Sequence, residues 1–333
     1  MRKHALLILL LALLIVVVLV LPAGRYPLDF AMLGEAIVKW VQGQALTAAE
    51  DQSLFLFFQL RLPRIGAAML IGAALCTSGA VYQSMFFNPL VSPEILGVLG
   101  GASFGAAIGI VLLSSWPATQ ILAFAGGCAG VGLSLFFSSI YPKGRMLALI
   151  VGGLVSTAFF TALTSVLKYI ADPNQQLPEL VYWLMGTLSR TEGGQLLWVA
   201  PVMAICIVYM CAGGKVINVL SQGDDEARAM GIESARARLV FIGVATLACA
   251  LTVVLAGIIH WVGLVIPHVM RLWVGPDNRV LLPATALGGA LYVLVADTVV
   301  RSVWTAELPL GIVTALASMP LFATSLWIDW RRQ

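Results

Sequence analysis

Charged side chains are scarce in this sequence of 333 residues. Asp, Glu, Lys and Arg make up only 11% of it, whereas hydrophobic residues make up 60%. A soluble globular domain carries about 25% charged residues, so the polar covering that a water-soluble fold of this size needs is missing. Polar low-complexity tracts are absent too, which excludes a disordered chain. The net charge of +3 is small and spread along the chain, which argues against a nucleic-acid-binding protein.

The scarcity of charge leaves nine long runs without Asp, Glu, Lys or Arg: residues 5–21, 65–87, 95–113, 117–141, 146–167, 195–212, 239–259, 280–296 and 308–328. Most of these runs approach the roughly 20 residues that cross a bilayer core as a helix. They do not alternate as the strands of a transmembrane barrel do. The sequence therefore predicts an all-α, polytopic membrane protein in which residues 1–333 form a single transmembrane domain.

The first apolar run follows Arg2-Lys3-His4, as the hydrophobic region of a signal peptide would. Its 17 residues exceed the usual length of about 7–15 for such a region, and Pro22-Ala23-Gly24 is a poor cleavage site. The run is therefore predicted to be retained as the first membrane helix.

A tenth candidate span, residues 258–274, holds two histidines, a proline and Arg271, so it either crosses the membrane or re-enters it. Lys and Arg favour the cytoplasmic side of a membrane. With ten spans and both termini cytoplasmic, twelve of the 19 Lys and Arg residues lie on that side. Without the tenth span only nine do. The charges therefore predict ten transmembrane helices with both termini in the cytoplasm.

Sequence patterns of enzymes are missing from the chain. The P-loop pattern is absent, since Gly213-Gly214-Lys215-Val216 lacks its first glycine and its hydroxyl residue. The zinc-protease pattern H-E-x-x-H and the hydrolase pattern G-x-S-x-G are absent as well. The five cysteines have no CxxC spacing, so we expect small packing residues rather than a metal or disulfide site. The sequence predicts no catalytic residues and no ATP hydrolysis by this chain.

Few ionisable residues fall within the predicted spans, where they are costly and usually functional. They are Lys168, His260, His268 and the pair Asp297 and Arg301, which are four residues apart and can neutralise each other. Two histidines are too few for a proton relay, so an ion-coupled secondary transporter is an under-equipped alternative. A membrane-embedded enzyme is a second alternative, and it would depend on His260 or His268.

The largest hydrophilic segment on the predicted cytoplasmic side is residues 215–238. Within it, Gly223–Ile232 has the pattern of a short helix with acidic residues in its first turn and Gly231 at its end. Such a helix would present Ala227, Met230 and Ile232 as a small apolar surface. Two interpretations remain open, a helix that docks into a groove of a partner protein and a solvated loop helix.

Several motifs then occur in a fixed order along the ten predicted spans: Arg61-Leu-Pro-Arg64, Ser78-Gly-Ala-Val-Tyr-Gln83, Asn88-Pro-Leu90, Gly223–Ile232, Gly263-Leu-Val-Ile-Pro-His268-Val-Met-Arg271, Arg279-Val-Leu-Leu-Pro283 and Glu307-Leu-Pro-Leu-Gly311. With these motifs the chain resembles the permease subunits of type II ABC importers for iron–siderophores, haem and cobalamin. The resemblance covers nearly the whole chain.

The resemblance implies a ten-helix subunit of a bacterial inner membrane that forms a homodimer around a central translocation path. Two cytoplasmic ATP-binding subunits would hold ATP and Mg and drive the transport, and a periplasmic substrate-binding protein would deliver the ligand. The permease itself would hold no cofactor or metal. The implied cargo is an iron–siderophore, haem, cobalamin or a related metal chelate. A molybdate- or tungstate-type oxyanion is the alternative, because some relatives carry one.

The resemblance also implies roles for particular residues. The coupling helix that contacts the ATPase would include Gly223, Glu226, Ala227, Arg228, Met230 and Gly231. Docking of the binding protein would use Arg61, Arg64 and Arg301, and the cytoplasmic gate would include Asn88, Pro89, Leu90, Lys143 and Gly144. The candidates for the translocation path are His260 and Trp261, which stand where the family commonly has Gly-Phe. For His260, a ligand contact and a histidine bonded within the helix bundle both remain open.

Overall fold

The structure is a computed structural model that describes the chain except for Met1, residues 25–27, residues 141–144, Glu192, residues 304–306 and Gln333. The described residues form helices and no β-strand. The helices are α1 (Arg2–Val20), α2 (Phe30–Val41), α3 (Ala48–Phe55), α4 (Leu62–Met85), α5 (Val98–Ala107), α6 (Trp116–Ile140), α7 (Arg145–Ile170), α8 (Gln176–Leu184), α9 (Gly193–Ala212), α10 (Gly214–Leu220), α11 (Asp224–Ala229), α12 (Ser234–Ala256), α13 (Val262–Val274), α14 (Asn278–Val303) and α15 (Leu310–Arg332).

Within the described residues, seven helices are long and apolar enough to cross a membrane: Ala48–Met85, Trp116–Ile140, Leu147–Ile170, Gly193–Ala212, Ser234–Ala256, Asn278–Ser302 and Leu310–Arg331. Three shorter apolar helices, His4–Val20, Val98–Leu112 and Val262–Val274, coincide with the remaining predicted spans. The all-α, polytopic architecture predicted from the apolar runs is therefore confirmed.

Helix α4 lies at the centre of the bundle. The apolar window of its continuous helix, Ala48–Met85, is 78% buried, more than that of any other long span in the described chain. Glycine permits this packing, because a Cβ atom at Gly79 would lie 1.7 Å from the backbone oxygen of Gly263 at the start of α13. Small residues let membrane helices approach closely in this way. The glycines of α4 thus set where α13 can lie.

The two ends of α4 lie at opposite faces of the bundle. We name the face with Arg61, Arg64 and Arg301 the outer face, and the face with the segment Gly223–Ile232 the inner face. Arg64 is close to the start of α4, and Met85 at its end binds Arg238 of α12 beside that segment. Positions along α4 therefore indicate depth between the faces.

The tenth predicted span, residues 258–274, is helical only from Val262. Helix α12 ends at Ala256, residues 257–261 are not helical, and α13 begins at Val262. The 13 residues of α13 reach roughly 20 Å, less than the roughly 30 Å of a bilayer core. Trp261 at the break has a left-handed backbone with φ of 70°, which is a strained conformation for a residue with a side chain.

Like α13, helix α5 is a short apolar helix that begins inside the bundle. A 3-10 turn, Pro93–Leu96, and Gly97 precede it, and the proline ring lies against Gly263. The helices α5 and α13 therefore begin close together between the two faces. From there α13 runs to the inner face, where Asn278 beyond its end accepts a hydrogen bond from Ser84 of α4 at 3.1 Å. Helix α5 runs to the outer face, where Gln176 of α8 donates to the carbonyl of Val111 at 3.0 Å.

Candidate functional site

The segment predicted to couple to an ATPase is a short exposed helix at the inner face. Helix α11 has six residues and is bounded by Gly223 and Gly231, both of which have positive φ angles. Glu226 is exposed, the side chain of Arg228 is 72% exposed and Met230 is 66% exposed. Among the described residues, Arg228 forms one long ion pair, 3.8 Å to Asp225. These side chains are open to a partner.

The predicted apolar surface of this segment is wrong for two of its three residues. Ala227 is fully buried, and Ile232 is partly buried against the same hydrophobic core. The reason is that so short a helix must turn one side onto its neighbours, α10 and α12, and Ala227 lies on that side. Of the three residues, only Met230 presents an apolar side chain to a partner.

Arg238 joins the coupling segment to the inner end of α4. Its Nε donates to Asp224 Oδ1 at the start of α11 (3.1 Å), its Nη2 donates to the Leu220 carbonyl at the end of α10 (2.6 Å), and its Nη1 donates to the Met85 carbonyl (2.8 Å). The guanidinium also lies over the ring of Phe87, with 5.0 Å to the centroid. Since Arg238 is buried, α10, α11 and α4 are held together by one side chain.

Replacing Arg238 by alanine should lower the free energy of unfolding by about 2–4 kcal/mol, because two buried carbonyls lose their donor and each unsatisfied group costs about 1–3 kcal/mol. The measurement is thermal unfolding of the purified chain in detergent. The matched control is Arg236→Ala on the same helix, whose side chain is 82% exposed and pairs with Glu233 on the surface, and which should have little effect. Equal effects of the two variants would contradict the role of Arg238.

Helix α10 is fixed to the start of α14 on the inner face. Asn218 donates to Asp277 Oδ1 at 2.7 Å and accepts from the backbone of Asn278 at 2.8 Å. The Arg279 guanidinium, 2.7 Å from the Asp277 carboxylate, holds the pKa of that carboxyl well below its usual range. Asp277 is therefore charged at neutral pH, and its hydrogen bonds hold α10 against the start of α14.

The residues predicted as a cytoplasmic gate follow α4 directly. Asn88, Pro89 and Leu90 are exposed, and the Asn88 side chain accepts a hydrogen bond from the backbone of Leu90 at 2.9 Å. Phe87 before them has a left-handed backbone with φ of 52°. A cavity of about 740 Å³ lies between Phe87, the inner ends of α6 and α7, and the coupling segment. The other two predicted gate residues, Lys143 and Gly144, lie outside the described residues.

The three arginines predicted to dock a binding protein do come together at the outer face. Arg61 donates to the carbonyl of Leu21, just after the end of α1, and Arg301 donates to the Val20 carbonyl at 3.2 Å. Arg61 and Arg301 are both buried. Little of their charge is therefore exposed to a partner, and docking by these arginines stays a prediction.

Two carboxylates complete this cluster, which we name the outer arginine cluster: Arg61, Arg64, Arg301, Asp297 and Glu307. Arg64 forms a two-pronged pair with Asp297, with Nη2 2.9 Å from Oδ1, and also contacts Glu307 at 3.2 Å. Asp297 lies 3.8 Å from Arg301, so the pairing predicted from their spacing is the weaker contact. The sequence showed no sign of the Arg64–Asp297 pair, because the two residues are 233 positions apart.

The predicted path residues His260 and Trp261 lie in the break before α13, and a residue that sequence reasoning missed contacts both. Glu94 Oε2 is 3.2 Å from His260 Nδ1, and Glu94 Oε1 accepts from the backbone of Trp261 at 3.4 Å. A signal was present, since Glu94 is the only charged residue between Arg64 and Lys143. His260 is therefore bonded within the bundle, to Glu94. A ligand contact by its other ring nitrogen stays a prediction.

His268, the other histidine of the spans, is buried in α13 and packs edge-on against Phe322 of α15, with 5.7 Å between ring centres. Neither of its ring nitrogens has a hydrogen-bond partner within the described part of the chain. It lies apart from the Glu94–His260 pair, so the two histidines do not form one site.

Comparisons with known proteins agree with this architecture. The model of the FecCD transport family matches residues 6–328. The molybdate import permease MolB of Haemophilus influenzae is 37% identical over 306 residues, which cover 91% of this chain and 89% of that protein. The hemin transport permease HmuU of Yersinia pestis is 33% identical over 294 residues, 86% of each chain. A solved structure described as an inward-facing metal-chelate type ABC transporter has a TM-score of 0.85 and 34% identity, covering 98% of this chain and 99% of its own.

Proposed function

Because this chain belongs to the FecCD transport family, we propose that it is the permease subunit of an ATP-driven importer that carries a metal chelate across the bacterial inner membrane. The observation that carries this proposal is the exposed coupling segment beneath a bundle of membrane helices, in a chain whose sequence lacks a P-loop. In this family relationship the energy source is a second protein that hydrolyses ATP, and the exposed residues of α11 offer a surface for it.

The partners follow from this function. Two copies of the chain form a homodimer around a central path, and each copy presents its α11 to one of two cytoplasmic ATP-binding subunits. Closure of those subunits on ATP moves the coupling segments, and the path opens to one side at a time. Because Arg238 binds α11 and the carbonyl of Met85, a movement of α11 is passed to the end of α4 and to the gate residues Asn88, Pro89 and Leu90.

The outer arginine cluster is the proposed docking region for a periplasmic binding protein. The cluster's three guanidinium groups and two carboxylates sum to one positive charge. Its side chains are largely buried, so this excess would act on an acidic partner surface as a field at the outer face rather than through exposed ion pairs. Both termini lie in the cytoplasm in this arrangement.

The cargo has two candidate classes. The hemin permease and the metal-chelate type structure favour a metal chelate. The molybdate permease, at 37% identity, favours an oxyanion.

The experiment that tests the coupling surface replaces Met230 by glutamate. Met230 is exposed on the free chain and would become buried in the complex, so a glutamate there should weaken binding of the cognate ATP-binding subunit at least tenfold. Arg228→Glu should act in the same direction. Co-purification from detergent extracts measures the binding. Gln44→Glu, an exposed residue near the outer face, is the control for added charge. Normal stoichiometry of the ATPase with both Met230→Glu and Arg228→Glu would refute the assignment of α11.

A further inference from the structure

Glu94 and His260 form a hydrogen-bonded pair, with 3.2 Å between Oε2 and Nδ1, at the break where α5 and α13 begin. We propose that His260 coordinates the metal centre of a planar chelate with an exchangeable axial position as it crosses the membrane, and that Glu94 orients the imidazole for this contact. The proposal rests on the proposed importer function, and it narrows the cargo to one of the two candidate classes.

The pair lies between the two faces of the bundle. Gly263, three residues after His260, packs against Gly79, which is roughly 9 Å along α4 from the inner end at Met85. Ile258, two residues before His260, packs its carbonyl oxygen against Gly186, which follows α8, and against Gly311 in the first turn of α15. The chain therefore descends from the outer side through His260 to the middle of the bundle.

At this depth both side chains remain accessible. The His260 side chain is 46% exposed and the Glu94 side chain is 35% exposed on the single chain. Ionisable side chains within a membrane face the bundle interior or a water-filled cavity, because contact with lipid tails is costly. The surface that carries the pair is therefore covered by the second copy of the chain or by the aqueous path between the copies.

The hydrogen bond determines which imidazole nitrogen is available. An ionised carboxylate only accepts hydrogen bonds, so Nδ1, 3.2 Å from Glu94 Oε2, carries the proton. In the neutral ring, Nε2 then holds the free lone pair. Histidines that bind metals almost always donate their other ring N–H to a carboxylate, a carbonyl or water in this manner. The backbone N–H of Trp261 donates to the other carboxylate oxygen and holds Glu94 in place.

This chemistry selects among the candidate cargoes. A neutral imidazole nitrogen binds iron, cobalt and similar metals that have an open or exchangeable position, as a planar macrocyclic chelate offers. A free oxyanion offers no such position, and the Glu94 carboxylate repels its charge. No cluster of three or more metal-ligating side chains occurs among the described residues. One imidazole per copy gives a weak contact, as a path that must release its cargo requires.

The test uses the full-length permease in lipid nanodiscs with haemin as the probe, and its absorption spectrum reports histidine coordination of the iron. Wild-type permease should give the histidine-coordinated spectrum, and His260→Gln should lose it. Glu94→Gln should weaken haemin binding about 10- to 100-fold, as is usual for the orienting partner of a ligating histidine. His4→Gln removes an exposed histidine near the start of α1 and should leave the spectrum unchanged.

Two results would overturn the proposal. One is a histidine-coordinated spectrum that survives in His260→Gln while the variant unfolds at the wild-type temperature. The other is molybdate that displaces haemin from the wild-type permease at equal concentration. The experiment needs neither the ATPase nor a binding protein. If the chain is not an importer subunit, these spectra are therefore unaffected, and a failure of the proposed function can be told apart from a failure of the proposed haemin contact.

Discussion

Replacing Asp297 by asparagine is expected to lower the free energy of unfolding by about 3–5 kcal/mol, the usual cost of removing one partner from a buried ion pair. The Asp297 side chain is 1% exposed and contacts both Arg64 and Arg301. Without its charge, the buried guanidinium of Arg301 would face Arg61 and Arg64 with only Glu307 to compensate. Because Arg301 and Arg61 also bind the end of α1, the variant should loosen the packing of α1 on α14 and its contact with Arg61 at the start of α4.

Thermal unfolding in detergent measures this effect, and Asp51→Asn is the matched control, since Asp51 is an exposed residue of α3. A shift for Asp297→Asn no larger than that for Asp51→Asn would show that the outer arginine cluster does not hold the three helices together. A second readout is the stimulation of the ATPase by the binding protein, which should fall in Asp297→Asn because the proposed docking region loses its geometry.

Replacing Gly79 by alanine should disrupt the centre of the bundle and reduce uptake at least tenfold. The new Cβ would lie 1.7 Å from the Gly263 oxygen, which belongs to a backbone and cannot rotate away. Overpacking of this kind typically costs 1–3 kcal/mol, occasionally more, and here α13 has to move. Since His260 and Trp261 directly precede α13, these proposed path residues are displaced with it.

The matched control for this prediction is Gly243→Ala on α12, where a Cβ meets nothing within 4 Å. Alanine is also the better helix former, so this variant should be as stable as the wild type or more stable. The measurement compares the amount of folded protein and the uptake rate of both variants. Wild-type uptake by Gly79→Ala would show that the close approach of α4 and α13 is not needed for transport.

The helices could be predicted from the sequence because the bilayer imposes a simple length rule on apolar runs. Seven long helices and three short ones coincide with the ten predicted segments. The rule does not predict where a helix begins within the membrane. Helix α13 passes straight through Pro267, and the helical run breaks instead at residues 257–261, between α12 and α13. There the carbonyl of Ile258 packs against Gly186 and Gly311.

The candidate sites could be predicted in part. The family resemblance grouped Arg61, Arg64 and Arg301, and the three arginines do lie together. Their carboxylate partners, Asp297 and Glu307, depend on contacts across more than 200 residues, which a single sequence does not reveal. Ala227 was assigned to the exposed surface of α11 because six residues contain too little pattern to define a buried side.

The most direct test of the importer function measures uptake in proteoliposomes. Vesicles that contain this chain, its ATP-binding subunits and its binding protein are supplied with haemin or with molybdate. The proposed function predicts uptake that requires ATP and all three proteins, with none from this chain alone under a proton or sodium gradient. Uptake by the chain alone, driven by such a gradient, would contradict the proposed function and identify an ion-coupled transporter.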